Sequence, residues 1–415
     1  MKIAIVGSGI AGNVVAHHLY RHHPITLFEA ASYIGGHTHT HTVRLGEETH
    51  EIDTGFIVFN DWTYPHFNAL LKQLKVDTQD SSMSFSVSNR QTGLEYNGTT
   101  LNTLFAQRTN LLRPSFLRMI REILRFNRLA PLKLSAPSDQ TLGQYLSQNG
   151  YSENFTKNYL IPMGAAIWST DPALMLNFPV DFFIQFFHNH GMLSVENRPQ
   201  WRTIRGGSAR YVEKLTAPFR DRIRLSSPVI QLRRYKDGVG VCQQGLMEER
   251  FDAVFLACHA DQALTMLSDP SPLEKTVMGA FTYQKNEALL HTDIRSLPRN
   301  KRAWAAWNYE VPISPLAQAT LTYNMNILQS LRSQYTFCVS LNPTHAIDPQ
   351  KVIRRITYHH PLFTPQAVAA QSRQKEINGL NRTYYCGAYW RNGFHEDGVQ
   401  SAMNAVEHFK LIEHA

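Results

Sequence analysis

Cysteine and long apolar runs are both scarce in this chain of 415 residues. Its four cysteines show no C-x-x-C motif and no paired spacing: Cys242, Cys258, Cys338 and Cys386. This argues against a disulfide framework and a structural zinc site, and it indicates a reducing compartment. No apolar run reaches the ~20 residues that span a bilayer, and the chain opens without a signal-peptide pattern. The sequence therefore predicts a cytoplasmic protein.

Acidic residues are outnumbered by basic ones. The chain has 41 Lys and Arg against 33 Asp and Glu, which gives a net charge of +8 with neutral histidines. Such an excess favours an anionic partner, either nucleic acid, a membrane surface or an anionic substrate. No nucleic-acid recognition motif accompanies the basic residues, so we expect no nucleic-acid partner.

Much of this positive charge lies in residues 104–135, where the only acid is Glu122. The basic residues of the segment are Arg108, Arg113, Arg118, Arg121, Arg125, Arg128 and Lys133. The spacing predicts an amphipathic helix whose apolar face contains Phe116, Leu117, Ile120, Ile123 and Leu124. Such a helix either docks on its own protein or rests on an anionic membrane surface, and the sequence leaves both open.

The opening residues carry the strongest motif. A β-branched run ends in a G-x-G-x-x-G turn, and a helical pattern and a second strand pattern follow, ending at Glu29. This order predicts a dinucleotide-binding βαβ unit. Gly7 permits the tight turn, Gly9 lets the backbone approach a diphosphate, and Gly12 allows the helix to pack closely on the strand. Glu29 is placed to accept hydrogen bonds from ribose hydroxyls.

A second glycine pair follows the acid, in the sequence Gly35-Gly36-His37. Here the chain resembles the flavin-containing amine oxidase and phytoene desaturase superfamily, whose members have a Gly-Gly pair at this distance. The family usually follows that pair with an arginine that contacts the diphosphate. This chain has His37 at that position.

The resemblance recurs further along the chain. Residues 53–55 resemble the loop after the family's flavin-edge segment, and residues 203–207 resemble its central Gly-Gly element. Two apolar runs, 228–232 and 251–257, resemble strands of the same nucleotide domain. Residues 384–398 resemble the C-terminal flavin motif. Four blocks in the right order imply FAD as the cofactor.

The resemblance implies non-covalent FAD, contacted by residues from each of these blocks. The implied binding residues are Gly7, Gly9, Ile10, Ala11, Gly12, Glu29, Ala30, Gly35, Gly36, His37, Gly55, Phe56, Val229, Ala257, Gly387, His395, Glu396, Asp397, Gly398 and Val399. The last helix would direct its positive end at the flavin and stabilise negative charge on the reduced ring. Ala388 stands where the family often has an acid, so the ribityl contact is expected from Glu396 or Asp397.

These blocks predict an α/β fold with a discontinuous Rossmann-type FAD-binding domain. Its three parts are residues 1–64, 200–268 and 378–415. The intervening segments, a mostly helical 65–199 and a strand-containing 269–377, would form a mixed α+β substrate domain. No internal repeat is present.

The predicted substrate domain is rich in aromatic residues. They include Trp168, Phe178, Phe182, Phe183, Phe186, Phe187, Trp304, Trp307 and Tyr309. Each of them alone is expected in the core. As a group they fit an apolar pocket or tunnel, which favours a lipid substrate.

Within the superfamily the chain is most similar to a bacterial branch of predicted NAD/FAD-binding proteins. The similarity lies in residues 189–191, 201–203, 291–293, 307–309, 341–343 and 393–398. Relatives of this branch include a dehydrogenase that desaturates methyl-branched acyl chains in furan fatty acid synthesis. The resemblance implies a dehydrogenase or desaturase that transfers a hydride from a fatty acyl substrate to flavin N5. An amine oxidase, and a non-redox isomerase or lipid-binding flavoprotein, are the alternatives.

Three residues are candidates for catalysis. His395 and Glu396 lie in the motif that should reach the flavin ring, which suits a base or a flavin-tuning group. Lys285 resembles the lysine that many amine oxidases hold against N5 through a water. The sequence does not indicate the oligomeric state or the electron acceptor.

Alternating histidines invite a metal-site interpretation. In a strand, His37, His39 and His41 would face the same way. No carboxylate or thiolate lies at a matching spacing, and His37 is expected at the diphosphate, so we predict no metal site.

Overall fold

The computed structural model describes residues 1–136, 138–194, 196–311, 320–342 and 347–413. Pro343, which belongs to one of the resembling segments, lies outside these ranges. So do the last two residues of the predicted final part of the FAD-binding domain.

The described ranges contain twenty strands and sixteen α-helices, with seven consecutive α-helices falling between the eighth and ninth strands. The strands, in chain order, are β1 (Ile3–Val6), β2 (Ile25–Phe28), β3 (Thr40–Leu45), β4 (Glu48–Asp53), β5 (Phe59–Asn60), β6 (Thr78–Asp80), β7 (Phe85–Asn89), β8 (Leu94–Asn97), β9 (Trp201–Ile204), β10 (Ile223–Arg224), β11 (Val229–Tyr235), β12 (Gly238–Gln243), β13 (Glu249–Phe251), β14 (Ala253–Leu256), β15 (Thr282–His291), β16 (Trp307–Val311), β17 (Thr320–Asn324), β18 (Cys338–Leu341), β19 (Val352–Leu362) and β20 (Thr383–Tyr385). The α-helices are α1 (Ile10–Leu19), α2 (Pro65–Gln73), α3 (Leu101–Leu104), α4 (Pro114–Leu129), α5 (Leu142–Gln148), α6 (Glu153–Phe155), α7 (Ile161–Trp168), α8 (Pro172–Met175), α9 (Val180–Asn189), α10 (Ala209–Thr216), α11 (Ala260–Met266), α12 (Pro272–Met278), α13 (Met325–Leu328), α14 (Pro365–Gln371), α15 (Gln374–Ile377) and α16 (His395–Glu413).

A five-stranded parallel sheet, in the order β10-β2-β1-β14-β20, holds the glycine turn. Its strands come from three stretches that are far apart in the sequence. All residues of β1, β2 and β14 are buried, which explains why these strands are continuous apolar runs rather than alternating ones. The predicted α/β fold is confirmed.

The two faces of this sheet are covered differently. Ile3 and Ile5 point to the face where α1 and α16 pack, whereas Ala4 and Val6 point to the other face. That second face packs against α11, α12 and the antiparallel sheet β11-β12-β13. The run at 228–232, predicted as a strand of the nucleotide domain, thus lies in this antiparallel sheet, while the run at 251–257 contributes β14 to the parallel sheet.

A second sheet has seven strands, in the order β19-β15-β18-β17-β16-β7-β8. Helices of the segment between β8 and β9 pack beside it and share one aromatic core with its strands. Among the helices of the described ranges, none is long and apolar enough to cross a bilayer.

The buried face of α4 differs from the predicted one. Phe116, Met119 and Phe126 point inward, whereas Leu117 and Leu124 are exposed. Together with the buried Glu122, the inward residues recur at steps of three, three and four, which is the helical repeat, and Leu117 and Leu124 fall outside that stripe. The predicted apolar face is therefore wrong at these two leucines.

The carboxylate of Asp53, at the end of β4, connects three parts of the chain. It accepts hydrogen bonds from Thr40 Oγ1 (2.5 Å), Ser208 N (2.9 Å) and Ser208 Oγ (3.0 Å). Gln329 Nε2 donates to it at 3.3 Å, and Gln329 Oε1 accepts from the Asp53 backbone at 3.0 Å. Asp53 is fully buried, so water could not take its place as the acceptor for these donors if the carboxylate were removed.

We predict that Asp53→Ala lowers the free energy of unfolding by about 3 kcal/mol, because several buried donors lose their acceptor. Thermal and urea unfolding measure this change. Glu51→Ala is the matched control, since the Glu51 carboxylate accepts from the exposed Thr42 hydroxyl in the same hairpin and its backbone carbonyl is kept in the variant. Equal losses in the two variants would contradict a special role for Asp53.

Candidate functional site

The glycine turn after β1 leaves an open space at its centre. A Cβ at Gly7 would lie 2.6 Å from the Ala257 carbonyl oxygen, and a Cβ at Gly12 would lie 1.9 Å from the Gly7 carbonyl oxygen. Gly7 has a φ of +102°, which also favours glycine. A Cβ at Gly9 would have no atom within 4 Å. Gly7 and Gly12 are thus required by packing, whereas the space at Gly9 is available to a ligand.

The acid at the end of β2 is fixed beside this turn. Glu29 Oε2 accepts hydrogen bonds from Ser8 N (2.8 Å) and Ser8 Oγ (2.6 Å), and Oε1 accepts from Ala31 N (2.8 Å). The Ser227 N–H donates to the Glu29 carbonyl at 2.8 Å, which brings the loop before Val229 to the same place. Ala30, by contrast, is exposed.

The second glycine pair packs on the first turn. The Gly35 N–H donates to the Ser8 carbonyl at 3.1 Å, and a Cβ at Gly36 would lie 3.0 Å from Gly9 Cα. Both glycines have positive φ values, +131° and +59°. The chain then turns toward the loop after β4, where the Phe56 N–H donates to the His37 carbonyl at 2.9 Å. A Cβ at Gly55 would lie only 1.9 Å from that carbonyl oxygen.

Helices α1 and α16 bring their N-termini together at this turn. A Cβ at Gly398 would lie 2.6 Å from Ile10 Cγ2, and Val399 is buried in the shared core. The Gly387 N–H donates to Ser401 Oγ at 2.9 Å, which fixes the segment before α16. Helix N-termini carry partial positive charge and free N–H groups. Two of them in one place favour a bound anion such as a diphosphate.

The first residue of α16, His395, is buried among aromatic and hydroxyl groups. Its Nε2 lies 2.6 Å from the Tyr211 hydroxyl and 3.1 Å from Thr38 Oγ1. Its ring stacks on Phe56, with 3.6 Å between ring centroids. Burial, helped by the nearby His37, holds the pKa of His395 well below its usual range, so the imidazole is neutral.

The two acids that follow His395 bind backbone amides. Glu396 Oε1 accepts from His66 N (3.0 Å) and Oε2 accepts from Phe67 N (2.9 Å), both at the start of α2. Asp397 Oδ2 accepts from Phe394 N at 2.8 Å. Burial raises the pKa of Asp397 to about 7. These bonds hold α2 and the α16 motif in place.

Histidines from three segments meet close to the second glycine pair. The ring centroid of His37 lies 5.1 Å from that of Tyr358, 5.7 Å from that of His360 and 5.9 Å from that of His259. Burial lowers the pKa of His37 and of His259 to about 4 and that of His360 to about 3, with the neighbouring histidines adding to the effect. His37 Nε2 is buried without a hydrogen-bond partner in the described part of the chain.

The alternation of His37, His39 and His41 does not persist in the structure, because β3 begins only at Thr40. The rings of His39 and His41 contact each other at a tilt of 46°, with 4.0 Å between ring centroids, while His37 joins the separate group with His360. No set of three or more His, Cys, Asp or Glu residues is arranged to hold a metal ion in the ranges that the structure describes.

Strand pairing determines where Lys285 lies. Lys285 pairs with His359 across β15 and β19, and both side chains are exposed on one face of the pair. The opposite face carries Asn286 and Tyr358, and the Tyr358 hydroxyl lies 2.8 Å from Thr54 Oγ1. The face that meets the loop after β4 is therefore the one that does not carry Lys285.

A cavity of about 340 Å³ lies beside the first turn of α16. Trp62, His190, Phe394, Arg391 and Asp397 contribute to its wall. Phe394, in the cavity wall, is the last ring of a continuous aromatic series. The ring centroids of Trp168 and Phe186 are 4.8 Å apart, and those of Phe186 and Phe394 are 5.2 Å apart.

Most of the aromatic residues of α9 form core rather than a pocket wall. Phe183, Phe186 and Phe187 are at most 2% exposed. Trp168 and Phe178 are also buried, and Phe182 is partly buried against the same cluster. The predicted apolar tunnel is thus replaced, along this helix, by a packed cluster that reaches the cavity at Phe394.

Sequence reasoning missed several residues of this site. Tyr211 was visible only as an apolar position of the helix after the central Gly-Gly element. Tyr358, His259 and His360 belong to no motif and are far from the glycine turn in sequence. A buried partner of His395 has no local signal, because the contact spans 184 residues.

We predict that acid destabilises the protein through its buried histidines. A histidine whose folded pKa is about 4 stays neutral in the folded state while its unfolded counterpart, with a pKa near 6.5, takes up a proton. The contribution of these histidines to stability is therefore complete above about pH 6.5 and is lost as the pH is lowered toward 4. Unfolding temperature measured across this range tests it. His360→Asn should flatten the fall, whereas His22→Asn, at an exposed position, should not.

The open space at Gly9 gives a second prediction. Gly9→Ala should leave the stability of the cofactor-free protein within about 0.5 kcal/mol, because no protein atom meets the new methyl group. The same methyl group would occupy the diphosphate space, so bound FAD, measured as the flavin-to-protein absorbance ratio, should fall by more than half. Gly98→Ala is the control, since a Cβ there also meets nothing within 4 Å. Unchanged FAD in Gly9→Ala would place the diphosphate elsewhere.

The residues around the glycine turn fit a dinucleotide. The space at Gly9 and the two helix N-termini suit its diphosphate, and Glu29 is fixed where a ribose would meet it. The unpartnered His37 Nε2 provides a buried polar atom for a phosphate or flavin oxygen.

Known proteins share both the sequence pattern and the fold. The family model of flavin-containing amine oxidoreductases matches residues 10–285, more than half of the chain. No curated protein sequence matches the chain significantly. Cyclohexylamine oxidase from Brevibacterium oxydans has a similar structure, with a TM-score of 0.72, 14% identity and coverage of 99% of both chains.

Two further structures show the breadth of this fold. The CLA-producing fatty acid isomerase from P. acnes aligns with a TM-score of 0.68 at 13% identity, over 98% of each chain. Putrescine oxidase bound to putrescine aligns with a TM-score of 0.67 at 12% identity, over 99% of each chain. At identities of 12–14% these structures show only that the folds are similar, whereas the family model matches the amino-acid sequence. The chain therefore belongs to the flavin-containing amine oxidoreductase family, and it is an FAD-dependent oxidoreductase.

Proposed function

We propose that the protein is an FAD-dependent dehydrogenase or desaturase of an acyl chain that carries an anionic head group. The observation that carries this proposal is the state of the carboxylates at the cavity beside α16. Both oxygens of Glu396 accept from backbone amides, and Asp397 accepts from Phe394 N while Arg391 Nε lies 3.7 Å from its other oxygen. Three of these four oxygens accept from backbone amides and the fourth faces the Arg391 guanidinium, so an ammonium group would meet carboxylates that already have donors or a cation beside them.

The cation at the cavity, Arg391, is more accessible to a ligand than the two carboxylates are. The Arg391 side chain is 55% exposed, and its partner Asp397 has a pKa raised to about 7, so this pair is not fully neutralised at neutral pH. A guanidinium binds a carboxylate or phosphate through several N–H groups. An acid head group at Arg391 would place the start of the attached chain against Phe394 in the cavity wall.

FAD, when bound, supplies the hydride acceptor for such a reaction. Forming a carbon–carbon double bond also requires a group that takes a proton from the neighbouring carbon. His395 is our candidate, because its imidazole is neutral and its Nε2 is bonded to Tyr211, which can share the proton. Phe56 and the surrounding core keep this group away from water. Glu396 is a positioning residue in this proposal, since both of its carboxylate oxygens already accept hydrogen bonds from backbone amides of α2.

Two other functions are compatible with the fold. An amine oxidase is favoured by the family's best-known activity, although it would need a carboxylate or aromatic site for the amine other than Glu396 and Asp397. A non-redox isomerase is suggested by the fatty acid isomerase of the same fold. The three functions differ in what they do to the flavin.

We predict that anaerobic addition of fatty acids bleaches the flavin absorbance of the holoprotein, whereas putrescine and cyclohexylamine do not. Lipid extracts analysed by mass spectrometry should show a loss of two hydrogens from the substrate. Bleaching by amines alone would overturn the acyl proposal in favour of an amine oxidase. A positional isomer formed without net bleaching would favour the isomerase.

The Arg391→Gln variant tests whether Arg391 binds the acid head group. Loss of one charge-assisted bond of about 1.5–3 kcal/mol should raise KM for a free fatty acid roughly tenfold or more. The KM for its neutral methyl ester and the bound FAD should change little. Arg373→Gln, which removes an exposed pair with Glu376 elsewhere, is the matched control. An equal change for acid and ester would remove Arg391 from head-group binding.

A further inference from the structure

Exposed leucines are concentrated in a single stretch of the chain, between α3 and the 3₁₀ helix Ala130–Ser135. Seven of the eighteen large apolar side chains that are exposed in the described ranges lie there: Leu101, Leu111, Leu112, Leu117, Leu124, Leu129 and Leu132. Leu112 is 86% exposed, so it has almost no protein contact. Exposed arginines are interspersed among them: Arg108, Arg113, Arg118, Arg121 and Arg128. We call these residues together the leucine–arginine surface.

The central helix of this surface shows the arrangement most clearly. Along α4, the exposed residues Leu117, Arg121, Leu124 and Arg128 follow one another at steps of four, three and four. This spacing keeps all four on one side of the helix. The opposite side carries the buried residues Phe116, Met119 and Phe126 and is fully used by the aromatic core. The outward leucines therefore have no partner in the described part of the chain.

The one acid of the segment pairs with one arginine of this surface. Glu122 is 6% exposed; it accepts a hydrogen bond from Ser152 N at 3.1 Å and another from Ser152 Oγ, and Arg118 Nε donates to it at 3.3 Å. Within the described residues, Arg113, Arg121 and Arg128 form no ion pair. Acids on neighbouring elements are paired locally, Asp181 with Lys133 and Glu153 with Lys157. The outward face of the leucine–arginine surface thus combines apolar tips with unbalanced positive charge.

We propose that the leucine–arginine surface docks on an anionic phospholipid bilayer, with the leucines in the interface and the arginines at the lipid phosphates. Amphipathic elements with this composition bind in the interfacial plane through apolar area and attraction to anionic lipids. Along α4 the exposed leucines alternate with exposed arginines, so the apolar tips of this helix are separated by charged side chains. A fluid head-group layer accommodates such separate tips, whereas a rigid protein partner needs a matching pit for each one.

This proposal does not rest on the acyl substrate, because the surface lies on the outward side of α4 and includes no residue of the cavity at Phe394. The inward side of α4 belongs to the same aromatic core that reaches that cavity. Docking would therefore place the substrate domain, rather than the parallel sheet, against the membrane.

The test is co-sedimentation of the FAD-loaded protein with vesicles of phosphatidylcholine alone and of phosphatidylcholine with phosphatidylglycerol. We expect binding to the anionic vesicles at low salt and release at high salt, since surface attraction is screened. Arg121→Gln with Arg128→Gln should weaken binding about tenfold or more, at roughly 1 kcal/mol for each basic residue. Leu112→Gln with Leu132→Gln should weaken it at every salt concentration.

The matched control is Leu246→Gln with Met247→Gln, which removes equally exposed apolar side chains from a turn between β12 and β13. It should bind vesicles like the parent protein, and all variants should keep their unfolding temperature and FAD content. Equal loss in the control and the leucine variant, or no vesicle binding by the parent protein, would overturn the proposal. Concentration-dependent self-association that the leucine variant abolishes, without vesicle binding, would assign the surface to a second copy of the chain instead.

Discussion

A single buried carboxylate holds the architecture together. Asp53 joins the β3–β4 hairpin, the start of α10 and, through Gln329, the segment beside the seven-stranded sheet. Its acceptor atoms are surrounded by hydroxyl and amide donors, which hold the hairpin in its observed register. Because the loop after β4 continues directly into Gly55 and Phe56, the same carboxylate also fixes the wall on which His395 stacks. The position of the candidate reactive group thus depends on a residue from a distant part of the sequence.

Local patterns were sufficient to predict the parallel sheet and its glycine turn. The βαβ unit is readable because Gly7 and Gly12 are required by sterics within a few residues, and β1 and β14 are buried on both faces and hence continuously apolar. The helix within residues 104–135 was also visible from its amphipathic spacing. In each case the determining interaction lies inside the segment or at a motif of fixed spacing.

What the sequence could not predict depends on contacts between distant segments. The prediction for the inward face of α4 was wrong at Leu117 and Leu124. The helix has more apolar residues than one face can hold, and contacts with the aromatic core of the neighbouring helices determine which of them are buried. The role of Glu396 was ambiguous for the same reason, since its partners are backbone amides of α2, some 330 residues earlier. The histidine group is assembled from a loop, a helix cap and an edge strand, and no spacing rule links these.

The meeting of α1 and α16 has a consequence for how the protein folds. Strand β20 and α16 lie far from α1 in the sequence, yet they pack beside β14 and against α1. The two helix N-termini at the glycine turn can therefore meet only after chain segments from both sides of the seven-stranded sheet have come together. Until α16 is in place, the first βαβ unit exposes the apolar surface that α16 covers in the folded protein.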